Sequence, residues 1–455
     1  MIMTTSQISR FADVKIHIAF MESGEMNLQT NGRMLVFHSA YTFDDIKARS
    51  LEVYVTSKDA GKFFDSILTV SPIASLQYAA QHPLLFGRPD FYELDGRNTI
   101  LEGKTQRFKL IKRWKKLNFV LAQVSLLFTL FSSRGLRSIK VVQADDPAFN
   151  GLYGYLFSQI LRKPLIVGVW GNPARIRELR KVPLMPGLFP SIWIEERVEK
   201  FVLRRASLVL VQNSENGSYP LSVGVAPEKV RILPLGIGIH EAHFLPGSKR
   251  LQLSDELKLF GIENQFVLTC ISRLEELKLV DHAILSCQVL KNAGIEFKLV
   301  IIGDGREKEK LIALAKDLDL EKQIVFAGNR SQEWIAGFLQ YADVAVAPLT
   351  GRALLEIGLS GCPVVAYDVD WHSEIVQSGT TGTLVTNLDH KSLGESVLEL
   401  LQNKSLCSDL SKRMLKRAAE IADPKRIIDS QVEMYRSLIQ TTKKAATKKS
   451  KDRDC

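Results

Sequence analysis

Cysteine is sparse in this 455-residue chain. Its five copies, Cys270, Cys287, Cys362, Cys407 and Cys455, are scattered, with no CxxC pair and no metal-ligand spacing. That argues against a disulfide framework or a zinc site and favours a reducing, cytoplasmic compartment. Histidine is also scarce, at eight residues, none in a recognisable motif. No GxGxxG follows a strand-like run, so a dinucleotide oxidoreductase ranks low. Long hydrophobic runs are missing. The longest, Leu117 to Phe131, contains Asn118 and Gln123 and falls short of the roughly 20 residues that span a bilayer. Residues 1–10 are polar with no apolar core, so neither a secretory signal nor a transmembrane helix is expected.

What is present is an ordinary globular composition, 45% hydrophobic and 24% charged, in a chain long enough for two domains. The net charge is +10 and the isoelectric point about 9.2. A basic excess suits anionic partners: nucleotide phosphates, lipid headgroups or nucleic acid. Without zinc-finger or RNP-like patterns, nucleic acid ranks last.

Short apolar runs alternate with helical patterns, twice over. Met34–Phe37, Ile139–Val142, Leu165–Val169 and Leu208–Val211 read as buried strands in the first half. Phe266–Ile271, Lys298–Ile302, Ile324–Ala327, Val344–Ala347 and Pro363–Ala366 read the same way in the second. Helical patterns such as Arg306–Leu318 and Leu393–Leu401 lie between them. This alternation predicts parallel sheets covered by helices on both faces. Glycine and proline cluster between Pro234 and Arg250. The expected division is therefore 1–245, 246–422, a further helix over 423–440 and a lysine-rich, disordered tail over 441–455.

Three segments carry chemistry. In VLTCISRLEELKLVD (267–281), Arg273 and Lys278 follow a buried strand. Two cations at a strand's carboxyl end suit a diphosphate, but Glu275 and Glu276 lie between them and offer ordinary surface pairing. VIIGDGREKEK (300–310) is a strand–glycine–helix junction, read equally as a phosphate turn or a structural one. In the stretch 342–385, a strand ends at Pro348, Thr350 and Gly351 make a turn, and Arg352 opens a helix bearing Glu356 one turn on. Free N–H groups at that helix start attract anions, and Glu356 offers a carboxylate to ribose hydroxyls; the plain alternative is an Arg352–Glu356 surface pair. Asp368, Asp370 and His372 match no strong metal spacing and read as loop polar residues.

These residues, in this order, resemble the donor domain of the retaining, family-4-type glycosyltransferases of the GT-B fold. Ser272-Arg273-Leu274 with Lys278 answers that family's G-R-L-x-x-x-K. Gly351 and Glu356 answer E-G-F-G-x-x-x-x-E. Gly361-Cys362-Pro363-Val364-Val365-Ala366, Asp368, Glu374-Ile375-Val376, Gly379, Gly382 and Leu384-Val385 answer the stretch that follows. The resemblance covers about 267–439. It implies two Rossmann-like, doubly wound α/β domains facing across a cleft, with a C-terminal helix returning to the first. It also implies transfer of a hexosyl-type sugar from a UDP- or GDP-linked donor to a glycan or lipid-linked saccharide of the cell envelope. The reaction would proceed with retention, with no metal and no cofactor beyond the nucleotide-sugar co-substrate. Arg273, Lys278, Gly351 and Arg352 would hold the diphosphate; Glu356 and Thr350 would hold ribose and sugar.

The sequence also departs from that family. Pro348 stands where the signature's first Glu would contact the donor sugar, Gly238 where an Asp is usual, and Trp170 where a His near the reacting sugar is usual. Catalytic help would then come from elsewhere, with Asn172 and Arg175 as candidates. The same departures motivate a second reading, a catalytically silent GT-B binding or scaffold protein. Finally, Lys104–Lys116 is rich in cations and holds Phe108 and Trp114 directly before the apolar run 117–131. This pattern reads either as a core helix with a basic start or as a peripheral contact with an anionic membrane on its cytoplasmic face.

Overall fold

The computed structural model describes residues 32–451 apart from 40, 49–50, 74–84, 134, 234–238, 370 and 387. The polypeptide divides into two units, one of residues 28–238 with 423–455 and one containing residues 239–422.

The first unit is built on an eight-stranded sheet. Its strands are β1 (Arg33–Phe37), β2 (Ser66–Ser71), β3 (Asp90–Glu93), β4 (Asn98–Glu102), β5 (Ile139–Ala144), β6 (Leu165–Val169), β7 (Leu208–Val211) and β8 (Val230–Ile232). Their spatial order is β3-β4-β2-β1-β5-β6-β7-β8. Every pairing is parallel except β3 with β4. β1, β5, β6 and β7 are the strands expected from their apolar runs. β2 is also buried, but its run is broken by Thr69. β3 is mostly exposed and β8 has three residues, so neither carries an apolar signal.

The second unit has six parallel strands: β9 (Phe266–Ile271), β10 (Phe297–Ile302), β11 (Ile324–Gly328), β12 (Val344–Ala347), β13 (Val364–Tyr367) and β14 (Thr383–Val385). Their order is β11-β10-β9-β12-β13-β14. Helices Lys308–Asp317 and His390–Gln402 occupy the expected stretches. Two doubly wound, Rossmann-like sheets are therefore present.

The helix Pro424–Lys451 follows the second sheet in sequence but belongs to the first unit. Tyr435 is buried there, its ring 5.0 Å from that of Phe64 and 5.8 Å from that of Phe63, in a core shared with Met34, Val36 and Ile166. The backbone is helical to Lys451. Alanine and lysine are good helix formers, and an existing helix extends at little cost.

One buried polar cluster fixes the loop after β6. Arg177, on the helix Pro173–Arg180, reaches back to the helix Ile192–Arg205. Its guanidinium donates to both Glu199 oxygens at 3.0 and 3.1 Å and to Glu195 at 3.4 Å, while the Tyr219 hydroxyl donates to Glu199. All four side chains are buried. Removing one member of a buried ion pair strands the others without compensation. Arg177→Ala is expected to lower the stability of the first unit by about 3–5 kcal/mol, read as a lower urea midpoint at unchanged slope.

Candidate functional site

Both sheets reverse their winding at one place. In the second unit, β9 leads outward to β10 and β11, while β12 lies on its other side. The loops leaving the carboxyl ends of β9 and β12 therefore diverge and leave a crevice, the usual ligand position in an open α/β sheet. Arg273 and Thr350 sit on these two loops. They are tied together where the Thr350 hydroxyl donates to the carbonyl of Ile271 at 3.4 Å.

Backbone proximity shapes this mouth. Gly303 and Gly305, in the turn after β10, pack against the main chain of the β9 loop. A Cβ at Gly303 would overlap the Ser272 carbonyl oxygen, and one at Gly305 the Leu274 carbonyl oxygen. The φ of Gly303 is also +139°, where side chains are strained. Leu274 N–H donates to Asp304 O at 3.1 Å, locking the two turns together. Arg273 is exposed beside this junction and Lys278 is half-buried. Glu275 pairs with Arg306 at 3.3 Å, so this acid is drawn towards the β10 turn.

On the β12 side, Thr350 is buried and Gly351 and Arg352 are half-buried. Arg352 caps the helix Ala353–Leu359 and its Nε donates to Glu356 at 3.0 Å. The Arg352–Glu356 pair exists, but Glu356 is 3% exposed, so it is no solvated surface contact. His372 is fully buried. Its Nδ1–H donates to the Tyr367 carbonyl at 2.9 Å, and its Nε2 lies 3.2 Å from the Thr350 nitrogen and 3.1 Å from the Thr350 carbonyl oxygen. The imidazole thus holds the Thr350 turn. Among the described residues, no group of three or more His, Cys, Asp or Glu side chains could hold a metal ion; Asp370 lies outside them. Arg250 is a buried cation with neutral acceptors: the carbonyls of His243, Leu245, Ala336 and Leu359 and the Ser360 hydroxyl, at 2.8 to 3.3 Å. Burial pulls its pKa down to about 10. It secures the segment entering the second unit to the end of the Glu356 helix.

In the first unit the reversal falls between β1 and β5. There the structure assembles a cluster that sequence reasoning missed. His38, just past β1, donates through Nδ1 to Asp145, just past β5, at 2.8 Å. Lys58 pairs with the same carboxylate, and Gln143 donates to it at 2.9 Å. Burial alone would raise the Asp145 pKa, but Lys58 and His38 outweigh it and hold the group well below the usual carboxylate range. Burial and Lys58 likewise lower the His38 pKa against the pull of Asp145. The imidazole is therefore neutral near pH 7. Its Nε2 is buried with no hydrogen-bond partner among the described residues. Ser39 donates to Asn150 at 2.9 Å beside it. Burial pushes the neighbouring Asp146 up to about 6.

The sequence candidates Asn172 and Arg175 follow β6. Asn172 caps the helix Pro173–Arg180 by accepting from Arg175 N–H at 3.3 Å, and its amide donates to Glu215 at 2.9 Å. The Arg175 side chain is exposed. Trp170 is 39% exposed, and its indole folds back into the space that a side chain at Gly168 would fill. Gly238 lies outside the described residues.

Comparison with known proteins adds to this geometry. Residues 256–418 match the family Glycosyl transferases group 1. The chain is 24% identical over 325 residues to the alpha-D-kanosaminyltransferase of Streptomyces kanamyceticus, covering 69% of this chain and 79% of that protein. It is 28% identical over 195 residues to the amylovoran biosynthesis glycosyltransferase AmsK of Erwinia amylovora, where it spans 45% of the relative. Among solved structures, Anabaena Alr3699/HepE in complex with UDP superposes with a TM-score of 0.64 at 17% identity, over 89% of this chain and all of that one. The fold is GT-B.

Gly303→Ala is expected to lower stability by more than about 1 kcal/mol, since both φ and the Ser272 carbonyl oppose a side chain. Gly351→Ala meets nothing within 4 Å and should stay within about 0.5 kcal/mol of the wild type. Equal shifts in thermal unfolding would refute the close-packed turn.

Proposed function

We propose that this protein is a glycosyltransferase that moves a hexosyl-type sugar from a UDP- or GDP-linked donor to a glycan or lipid-linked saccharide of the cell envelope. The observation that carries the proposal is the second unit's crevice. Exposed Arg273 and half-buried Lys278 follow β9, and the Thr350–Arg352 turn and buried Glu356 follow β12, the two strands that meet at the reversal, within a segment that matches a sugar-transferring family. Arg273 and Lys278 bind the diphosphate and stabilise its charge as the glycosidic bond breaks, an electrostatic role. Glu356 accepts from ribose hydroxyls. Thr350 and Arg352 serve the sugar and phosphate in place of the acidic residue replaced by Pro348. Retention at the anomeric carbon follows the resemblance, as does independence from a metal. The relatives' names, a kanosaminyltransferase and an amylovoran biosynthesis enzyme, support sugar transfer and leave the donor base to experiment.

In the first unit, His38 serves the acceptor. With Nδ1–H committed to Asp145, its Nε2 lone pair accepts the hydrogen of a sugar hydroxyl and orients that oxygen. Lys58 keeps Asp145 ionised, so the imidazole is held in one tautomer.

Calorimetry with UDP, GDP and their sugar conjugates tests the donor half. One nucleotide should bind the wild type, with affinity falling at least tenfold in Arg273→Ala/Lys278→Ala. No binding by any of them would shift weight to a catalytically silent scaffold. His38→Ala tests the acceptor half separately. Its kcat should fall by about 10² or more while nucleotide affinity stays at the wild-type value. An unchanged kcat would remove His38 from the reaction.

A further inference from the structure

The helix Lys115–Ser132 in the first unit is apolar on two sides. Its inner side, with Ala122, Leu126 and Leu130, packs on the sheet core. Its outer side carries Leu117, Val120, Val124, Phe128 and Phe131, all exposed, with Phe128 at 74%. Their spacing of three and four residues draws one stripe along the solvent face. No charged residue occurs from Leu117 to Ser132. A surface helix ordinarily keeps this face polar, and contiguous exposed apolar patches mark interaction sites. Leu156 and Ile160 of the adjacent helix Phe149–Leu161 are exposed too. The two helices are in contact, the Phe131 and Phe157 rings stacking at 5.1 Å.

Charge identifies the occupant. Between Glu102 and Asp145 the chain carries ten basic residues and no acidic one. At the start of the helix, Lys109, Lys112, Arg113, Lys115 and Lys116 are exposed, interleaved with Leu110 at 98% and Trp114 at 66%. A second copy of this chain would bring like charges together around the patch. An anionic bilayer accepts both features at once: aliphatic and aromatic side chains enter the headgroup boundary and cations meet lipid phosphates. Among the described residues no helix is long and apolar enough to cross a membrane, so the contact lies in the plane of the surface.

We propose that the outer face of the Lys115–Ser132 helix, with its basic entry loop, docks the protein on anionic phospholipid bilayers. The docking has a direction. The helix leaves the carboxyl end of β4 and leads back to the start of parallel β5. Its cationic end therefore lies at the same end of the sheet as His38 and Asp145. An acceptor anchored in the bilayer is thereby presented at the end of the sheet that carries the first unit's buried polar cluster. This inference deepens the sugar-transfer reading by naming the surface from which the acceptor comes, and it can fail independently of that reading.

The test uses the full chain with extruded vesicles of phosphatidylcholine alone or mixed with phosphatidylglycerol. Flotation should recover the wild type with the mixed vesicles only, and raised salt should release it. Lys112→Glu/Arg113→Glu should weaken binding at least tenfold, and Val124→Ser/Phe128→Ser should abolish it. Tryptophan emission should shift to the blue on the mixed vesicles, and Trp114→Phe should remove most of the shift. These side chains are exposed, so melting temperature and nucleotide affinity should stay at wild-type values in every variant. Wild-type protein that ignores the mixed vesicles would overturn the proposal. So would a concentration-dependent dimer, seen in sedimentation, that Val124→Ser/Phe128→Ser dissolves, because it would give the face to a second copy. Intact nucleotide binding in either case would leave the donor site standing.

Discussion

Everything functional in this molecule depends on one constraint: a parallel sheet whose crossovers are all right-handed must reverse its winding direction to cover both faces. At the reversal, neighbouring loops run to opposite sides and cannot cover the strand ends between them. In the second unit that place is β9 beside β12, and the loops bearing Arg273, a diphosphate candidate, and Thr350, a sugar candidate, flank it. In the first unit it is β1 beside β5, and the His38–Asp145 pair closes over it. The positions of these residues follow from topology before any side-chain chemistry is considered.

Topology leaves a gap but does not hold its rim still. Two devices do that here. The first is contact between backbones, where Gly303 and Gly305 let the β10 turn lie directly on Ser272 and Leu274. A loop with side chains at those positions would stand off and take Arg273 with it. The second is buried hydrogen bonding to loop carbonyls. Arg250 gathers the carbonyls of His243, Leu245, Ala336 and Leu359, and His372 spans from Tyr367 to Thr350. Two of the Arg250 acceptors, Ala336 and Leu359, lie in the last turns of helices, where a cation is favoured by the aligned peptide dipoles. Such groups cost desolvation when buried, so their benefit lies in fixing geometry.

This division of labour explains what the sequence revealed. β9, β10, β12 and β13 announce themselves because both faces of a central parallel strand are buried and the run is mostly apolar; β11 is an edge strand, legible from the apolar run Ile324–Ala327 alone. β3, β8 and β14 do not, because edge strands bury less. The candidate donor residues stood out because each pair falls within a short span of its own strand–loop–helix unit: Arg273 and Lys278 five apart, Thr350 and Glu356 six apart. His38 and Asp145 are separated by more than a hundred residues and share no local pattern. The available signal was positional, a titratable residue immediately after each of two buried runs, RMLVF before His38 and IKVVQA before Asp145. Reading that signal required knowing that β1 and β5 are neighbours, which strand patterns alone do not specify. The Arg352–Glu356 pair shows the opposite limit. Spacing correctly joined the two residues, but only packing revealed that Glu356 is buried.

The segment 117–131 carries a more general lesson about apolar runs. Its composition suits a core helix and a membrane-surface helix equally, and the two readings looked exclusive. In the fold the helix is apolar on opposite sides, one buried and one exposed. Ala122, Leu126 and Leu130 satisfy the sheet, after which Leu117, Val120, Val124, Phe128 and Phe131 are surplus to the needs of the core. A helix packed on one face of a sheet needs only a stripe of apolar side chains for that packing. Apolarity beyond the stripe brings no folding stability while it faces water, and it raises the risk of aggregation. Its concentration on the outer face, adjoining a run of cations without a single acid, is what the proposed bilayer contact would use.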